Sequence, residues 1–151
     1  MDADGMAREL TAAAIAVLTR AAFVMPKPAR ATALRGEVLQ VRLDFTAPIS
    51  GQLLLASTAE VSGRVVSQFT GTDTTDRASI ADGLGEILNM IAGKVMAAWF
   101  GPTQVCTLGF ATSQVVAARE YEASLQTASI AVRLATEEDD GIDVAARLTS
   151  T

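Results

Sequence analysis

The chain has 151 residues, half of them apolar, with 12 basic and 17 acidic side chains and a formal net charge of −5. That size and apolar content suit one domain, residues 1–151, whose core needs no disulfide or structural metal, and the acidic balance argues against nucleic acid or an anionic membrane surface as partner. Histidine is absent and Cys106 is the single cysteine, which excludes Ser-His-Asp and Cys-His catalysis, His-ligated metal and an intramolecular disulfide, and makes a reducing cytoplasm the expected home.

Residues 4–21 are rich in alanine, with Leu10, Ile15, Val17 and Leu18, and predict a first helix. Thr11, Thr19 and Arg20 interrupt its apolar run, and Asp2, Asp4 and Glu9 precede it where a signal peptide would be basic. It therefore reads as a mostly buried helix, neither a leader nor a membrane span. Pro26 and Pro28 stop it, and a connection runs to Gly36. Residues 38–45 alternate apolar and polar side chains, the pattern of a half-buried strand. Turn chemistry at 47–51 and a second strand at 52–56 complete a hairpin.

Ser57 or Thr58 then caps a helix over 59–69, which Gly71 ends. Thr72 to Asp76 offer further caps before a long helix over 76–99, stopped by Gly101 and Pro102. The remaining chain reads as three strands, 105–117, 124–133 and 142–148, with acidic Glu137 to Asp140 and Gly141 as the last turn. Cys106 lies among apolar residues and reads as a small buried hydrophobe. The acidic run lacks the spaced ligands of a calcium loop and reads as a solvated turn. The order is helix, two strands, two helices, three strands. Consecutive strands favour antiparallel pairing, so the expected class is α+β, an antiparallel sheet with long helices packed on it.

Chemistry concentrates in the long helix. At about 100° per residue, Leu84, Ile87, Leu88, Ile91, Val95, Ala98 and Trp99 share one broad apolar face. Asp82, Glu86, Asn89 and Gly93 form a narrow stripe opposite, in which Glu86 and Asn89 are surface neighbours. On pattern alone, ordinary solvated residues are the default explanation of such a stripe. Asparagine is, however, a poor residue for a helix interior, and Gly83, Gly85 and Gly93 each cost on the order of 1 kcal/mol against alanine. Gly85 and Gly93 would leave a low surface against which another protein could lie. Met90 and Met96 flank the stripe, as core edge or as a soft rim for a partner.

The spacing Asp-x3-Glu-x2-Asn from Asp82 through Glu86 to Asn89, inside Gly-Glu-Ile-Leu-Asn-Met-Ile-Ala-Gly, resembles the signature of the CheC/CheX/FliY chemotaxis phosphatases, CheX-type members especially. The resemblance in layout covers most of the chain; its specific residues span about fifteen positions around the motif. It implies a CheC/CheX-like fold and a catalytic pair, Glu86 and Asn89, acting on the aspartyl phosphate of a CheY-like response-regulator receiver. Glu86 would meet the receiver's active-site lysine and Asn89 would hold a water in line with the phosphorus. The chain would need no cofactor of its own, the Mg2+ belonging to the receiver. Asp82 matches the first motif position without an assigned step, so helix support and receiver contact both stay open. A homodimer paired through its sheets is also implied. Two departures stand out. The family's proline, about 22 residues beyond the asparagine, falls in Leu108 to Ser113, where there is none. Glu9-Leu10-Thr11-Ala12 on the first helix has alanine at the asparagine position, which leaves one site. A non-catalytic module that docks a receiver or flagellar-switch component is the rival, and an oligomeric protein assembling through the first helix is a second.

Overall fold

The computed structural model describes residues 1–29 and 33–149. In chain order its elements are α1 (Ala3–Ala21), β1 (Lys27–Pro28), β2 (Glu37–Ala47), β3 (Gly51–Thr58), α2 (Ala59–Thr70), α3 (Arg77–Phe100), β4 (Thr107–Leu108), β5 (Thr112–Ala117), α4 (Ala118–Leu125), β6 (Ile130–Ala135) and β7 (Gly141–Leu148). The strands form one sheet in the order β1-β6-β7-β3-β2-β4, with β5 also paired to β2. Every pairing is antiparallel. The architecture is thus α+β, as the run of consecutive strands predicted.

Strand alternation sorts the side chains onto two faces. Leu39, Val41, Leu43 and Phe45 of β2 meet Leu10 and Leu18 of α1, Val65 and Val66 of α2, and Leu84, Ile87, Leu88 and Ile91 of α3 in the main core. On the other face Val38, Leu54, Ala56 and Ala145 pack under Tyr121 and Leu125 of α4. Val38 to Val41 are consequently all buried, because that end of β2 is covered on both sides.

The caps are those the sequence offers. Thr58 Oγ1 accepts from the Val61 N–H at 3.2 Å, and Asp76 Oδ2 accepts from the Ser79 N–H at 3.0 Å. That bond holds the Asp76 carboxyl below its ordinary pKa. Gly71, at φ 73°, ends α2 in a left-handed conformation that glycine adopts without strain. Near the end of α3, Trp99 Nε1 donates to the Met6 carbonyl at 3.0 Å and ties the two long helices together. Among the described residues no helix is long and apolar enough to cross a membrane.

Three expectations need correction. The strand expected at 105–117 is two pieces, β4 and β5, both on the outer edge of β2. A shift of register between Phe45 and Ala47 kinks the ladder there, and the Gly109 N–H still donates to the Asp44 carbonyl at 2.7 Å. The strand expected from Ser124 starts only at Ile130, since 118–125 fold as α4. Tyr121 and Leu125, four apart, supply its single buried stripe. Residues 27–28, expected in a connection, pair with Leu134 and Ala135 as a short edge strand, where Pro28 is tolerated.

Beneath α4 lies a polar network. Tyr121 Oη donates to Asp143 Oδ2 at 2.7 Å, and Arg133 Nη2 donates to the same oxygen at 3.1 Å and to Glu122. Burial pushes the Asp143 carboxyl up despite the Tyr121 hydroxyl and the Arg133 charge. Burial and the Asp143 charge likewise push the Tyr121 phenol up.

Candidate functional site

One side of α3 is locked in the core, and this fixes what the other side presents. Leu84, Ile87, Leu88, Ile91 and Val95 are buried, while Asp82, Glu86 and Asn89 are exposed. Ala98, expected on the apolar face, is exposed instead, because the helix there is covered only along Val95, Met96 and Trp99. The two methionines divide. Met96 is buried in the core, and Met90 is 44% exposed beside Asn89. Gly93 is open, with nothing among the described residues within 4 Å of where a Cβ would stand.

Gly85 departs from the low open surface expected of it. It is buried, and a Cβ built on it would lie 3.0 Å from the Ala111 Cβ. The chain's own connection into β5 therefore occupies the space that a partner was expected to fill. Gly83 is closed over in the same way by Val66 of α2, at 2.5 Å. Two of the three glycines in the motif thus serve close packing inside the protein.

Asp82, Gly85, Glu86 and Asn89 form one wall of an open cleft of about 290 Å³. Ala111, just before β5, and Thr112 and Ser113 at its start form the other, and Val41 also lines it. Among the described residues Glu86 takes part in none of the ion pairs, so its carboxylate is not neutralised within the chain. A solvent-facing carboxylate beside a carboxamide can meet a cation and orient a water. The β5 wall was not foreseen from the motif. Its only sequence signal is position: Ala111, Thr112 and Ser113 lie in the stretch 108–113, where the resemblance implies a proline that this chain lacks.

A second cavity, of about 440 Å³, lies between Phe23 and Met25 after α1, Val61 and Arg64 of α2, and the β6–β7 turn at Thr136 to Asp140. Its cation is already committed, since Arg64 pairs with Glu60 and Asp140. Those carboxylates hold the guanidinium above its ordinary pKa, the Asp140 hydrogen bond contributing most, although burial opposes it. Cys106 is half-buried against the main core. Among the described residues no three Cys, Asp or Glu side chains converge as a metal-binding group.

Comparison with known proteins points the same way as the motif. The family model "Chemotaxis phosphatase CheX" matches residues 39–137. No curated protein sequence matches the chain. Among solved structures, a chemotaxis protein CheX from Desulfovibrio desulfuricans superposes with a TM-score of 0.71 at 19% identity, covering 95% of this chain and 99% of that one. CheX from Vibrio vulnificus gives 0.71 at 15% identity, covering 95% and 96%. CheX of Borrelia burgdorferi, solved as a complex with CheY, BeF3 and Mg2+, gives 0.70 at 15% identity, covering 99% and 100%. These superpositions share the fold, and the family model spans about two thirds of the chain, residues 39–137 of 151. The chain belongs to the CheX family of chemotaxis phosphatases.

Proposed function

We propose that the chain hydrolyses the aspartyl phosphate of a CheY-like response-regulator receiver and so terminates a chemotaxis or related two-component signal. Glu86 pairs with the receiver's active-site lysine and anchors docking. Asn89 enters the receiver's pocket and holds a water in line with the phosphorus. The water oxygen bonds to phosphorus, the bond to the aspartyl oxygen breaks, and a carboxylate and inorganic phosphate leave. The Mg2+ belongs to the receiver, so the chain supplies neither metal nor strong base.

The observation that carries this reading is the exposure of Glu86 and Asn89 side by side on a helix whose opposite side is immobilised in the core. Acyl phosphate hydrolysis needs a positioned nucleophile more than a strong base, and orientation alone can lower a barrier by several kcal/mol. A carboxamide suits the task because it donates to and accepts from the same water. The Borrelia burgdorferi CheX complex with CheY, BeF3 and Mg2+ supports the choice of partner, and its magnesium fits a metal that the receiver supplies. Asp82, Met90 and Gly93 border the pair and serve receiver contact in this reading, which also places the protein in the cytoplasm. A homodimer would form through a free sheet edge, either β1 or β4 and β5.

The test is phosphate loss from a panel of phosphorylated receivers, with the native chain, Glu86→Ala and Asn89→Ala in parallel. Asn89→Ala is expected to slow release by about 100-fold or more while binding to the receiver persists. Glu86→Ala should weaken binding as well. If every receiver loses phosphate equally slowly with and without the native chain, the reading fails.

A further inference from the structure

Two contacts grip α3 just before Glu86. A Cβ on Gly83 would lie 2.5 Å from Val66 Cγ1, and one on Gly85 would lie 3.0 Å from Ala111 Cβ. Residues two apart on a helix point about 200° away from each other, so these contacts hold it from opposite sides. Between them Leu84 is 3% exposed and Val66, Ile87 and Leu88 are fully buried, which leaves the helix nowhere to move. Ala111 ends the short step between β4 and β5, a step tied to β2 by the Gly109 N–H on the Asp44 carbonyl. From Thr112 onward the strand is held to Arg42 and the rest of β2. Ala111, Thr112 and Ser113 are the wall facing Asp82, Glu86 and Asn89.

We propose that Ala111, seated on Gly85, is a positioning residue that sets how far the edge strand stands from α3, and so how deeply Glu86 and Asn89 reach into a docked receiver. The inference rests on the phosphatase reading given above. Extra bulk at position 85 or 111 cannot push the buried helix back, so it pushes the strand outward. The strand then meets the receiver first and holds the Asn89 amide away from the water it must orient. A displacement of about 1 Å at such a site costs on the order of 100-fold in rate.

The experiment compares native chain, Gly85→Ala, Ala111→Val and the double variant Gly85→Ala/Ala111→Gly. Phosphate loss is measured at saturating and limiting phosphorylated receiver, beside receiver affinity and the melting temperature. Gly85→Ala and Ala111→Val are expected to lower turnover at saturation by about tenfold or more, and to weaken receiver affinity as well because Glu86 is held back together with Asn89. Melting should hold steady, or rise for Gly85→Ala, because alanine is the better helix former. The double variant, which takes the methyl from one side and adds it to the other, should recover native turnover within about threefold. A merely structural contact would instead lower melting and leave turnover per folded molecule unchanged. Native turnover in both single variants, or a double variant as slow as Gly85→Ala, overturns the inference alone. Should Gly85→Ala fail to fold, Ala111→Val decides. A native chain that does not accelerate phosphate loss overturns the phosphatase reading and this inference with it.

Discussion

Replacing Arg133 with methionine is expected to destabilise the fold by about 3 kcal/mol near neutral pH. Arg133 on β6 sits opposite Asp143 on β7 and supplies one of its two hydrogen bonds. The Asp143 side chain is 1% exposed, and its Oδ1 has no hydrogen-bond partner among the described residues. Removing one member of a buried ion pair costs about 3–5 kcal/mol, chiefly through the charge left behind. The lower end applies because the Arg133 side chain is 18% exposed and Tyr121 continues to donate to Asp143. In a chain of this length, about 3 kcal/mol lowers the melting temperature by about 6–12 °C. The loss should also depend on pH. Burial already holds the Asp143 carboxyl above its ordinary pKa, and without the guanidinium it rises further. A carboxyl with a raised folded pKa binds its proton more tightly when folded. Stability is then greatest below the unfolded value and falls as pH climbs toward the folded one. The deficit of Arg133→Met should therefore be smaller at about pH 4.5 than at about pH 7. Urea and thermal melts of the native chain, Arg133→Met and Arg133→Met/Asp143→Asn at both pH values measure it. The double variant, having no charge left at 143, should regain more than half of the loss. A deficit under about 1 kcal/mol, or one equal at both pH values, would refute the account.

Two further outcomes follow from packing. Trp99→Phe removes the indole's 3.0 Å hydrogen bond to the Met6 carbonyl, which its own helix still engages, and leaves a smaller ring in the core; it should cost about 1–2 kcal/mol in urea unfolding without changing the order of elements. Gly83→Ala forces a methyl to 2.5 Å from Val66 Cγ1. Overpacking of about 1–3 kcal/mol should exceed the helix gain of about 1 kcal/mol, and Val66→Ala in the same chain should restore much of the difference on a melting curve.

The elements legible in the sequence were those whose signal is local. Asp76 and Thr58 act as caps, Gly71 ends a helix, and the alternation through 38–45 sets β2, because each depends on residues a few positions apart. Two readings failed where the deciding contact is distant. Residues 118–125 carry only two large apolar side chains, Tyr121 and Leu125, and what makes them a helix is the sheet face that this pair covers. Gly85 looked like an open patch because its neighbour, Ala111, is 26 residues away and arrives there only through the β4–β5 step. The same limit applied to the site. Asp82, Glu86 and Asn89 fall on one helix face by periodicity alone. The opposing wall at Ala111 to Ser113 depends on which strand takes the edge beside β2, and no local pattern encodes that choice.

The indole at the far end of α3 makes the protein report on itself. Trp99 is the single tryptophan, 8% exposed, edge-on to Phe100 with ring centroids 6.1 Å apart, and anchored on the first helix. Its fluorescence therefore reads the joint between the first and third helices and little else. Asn89 lies ten residues back, about 15 Å along the axis. A red shift in emission during a titration would signal that the joint has opened, whereas engagement confined to the cleft would leave the spectrum where it was.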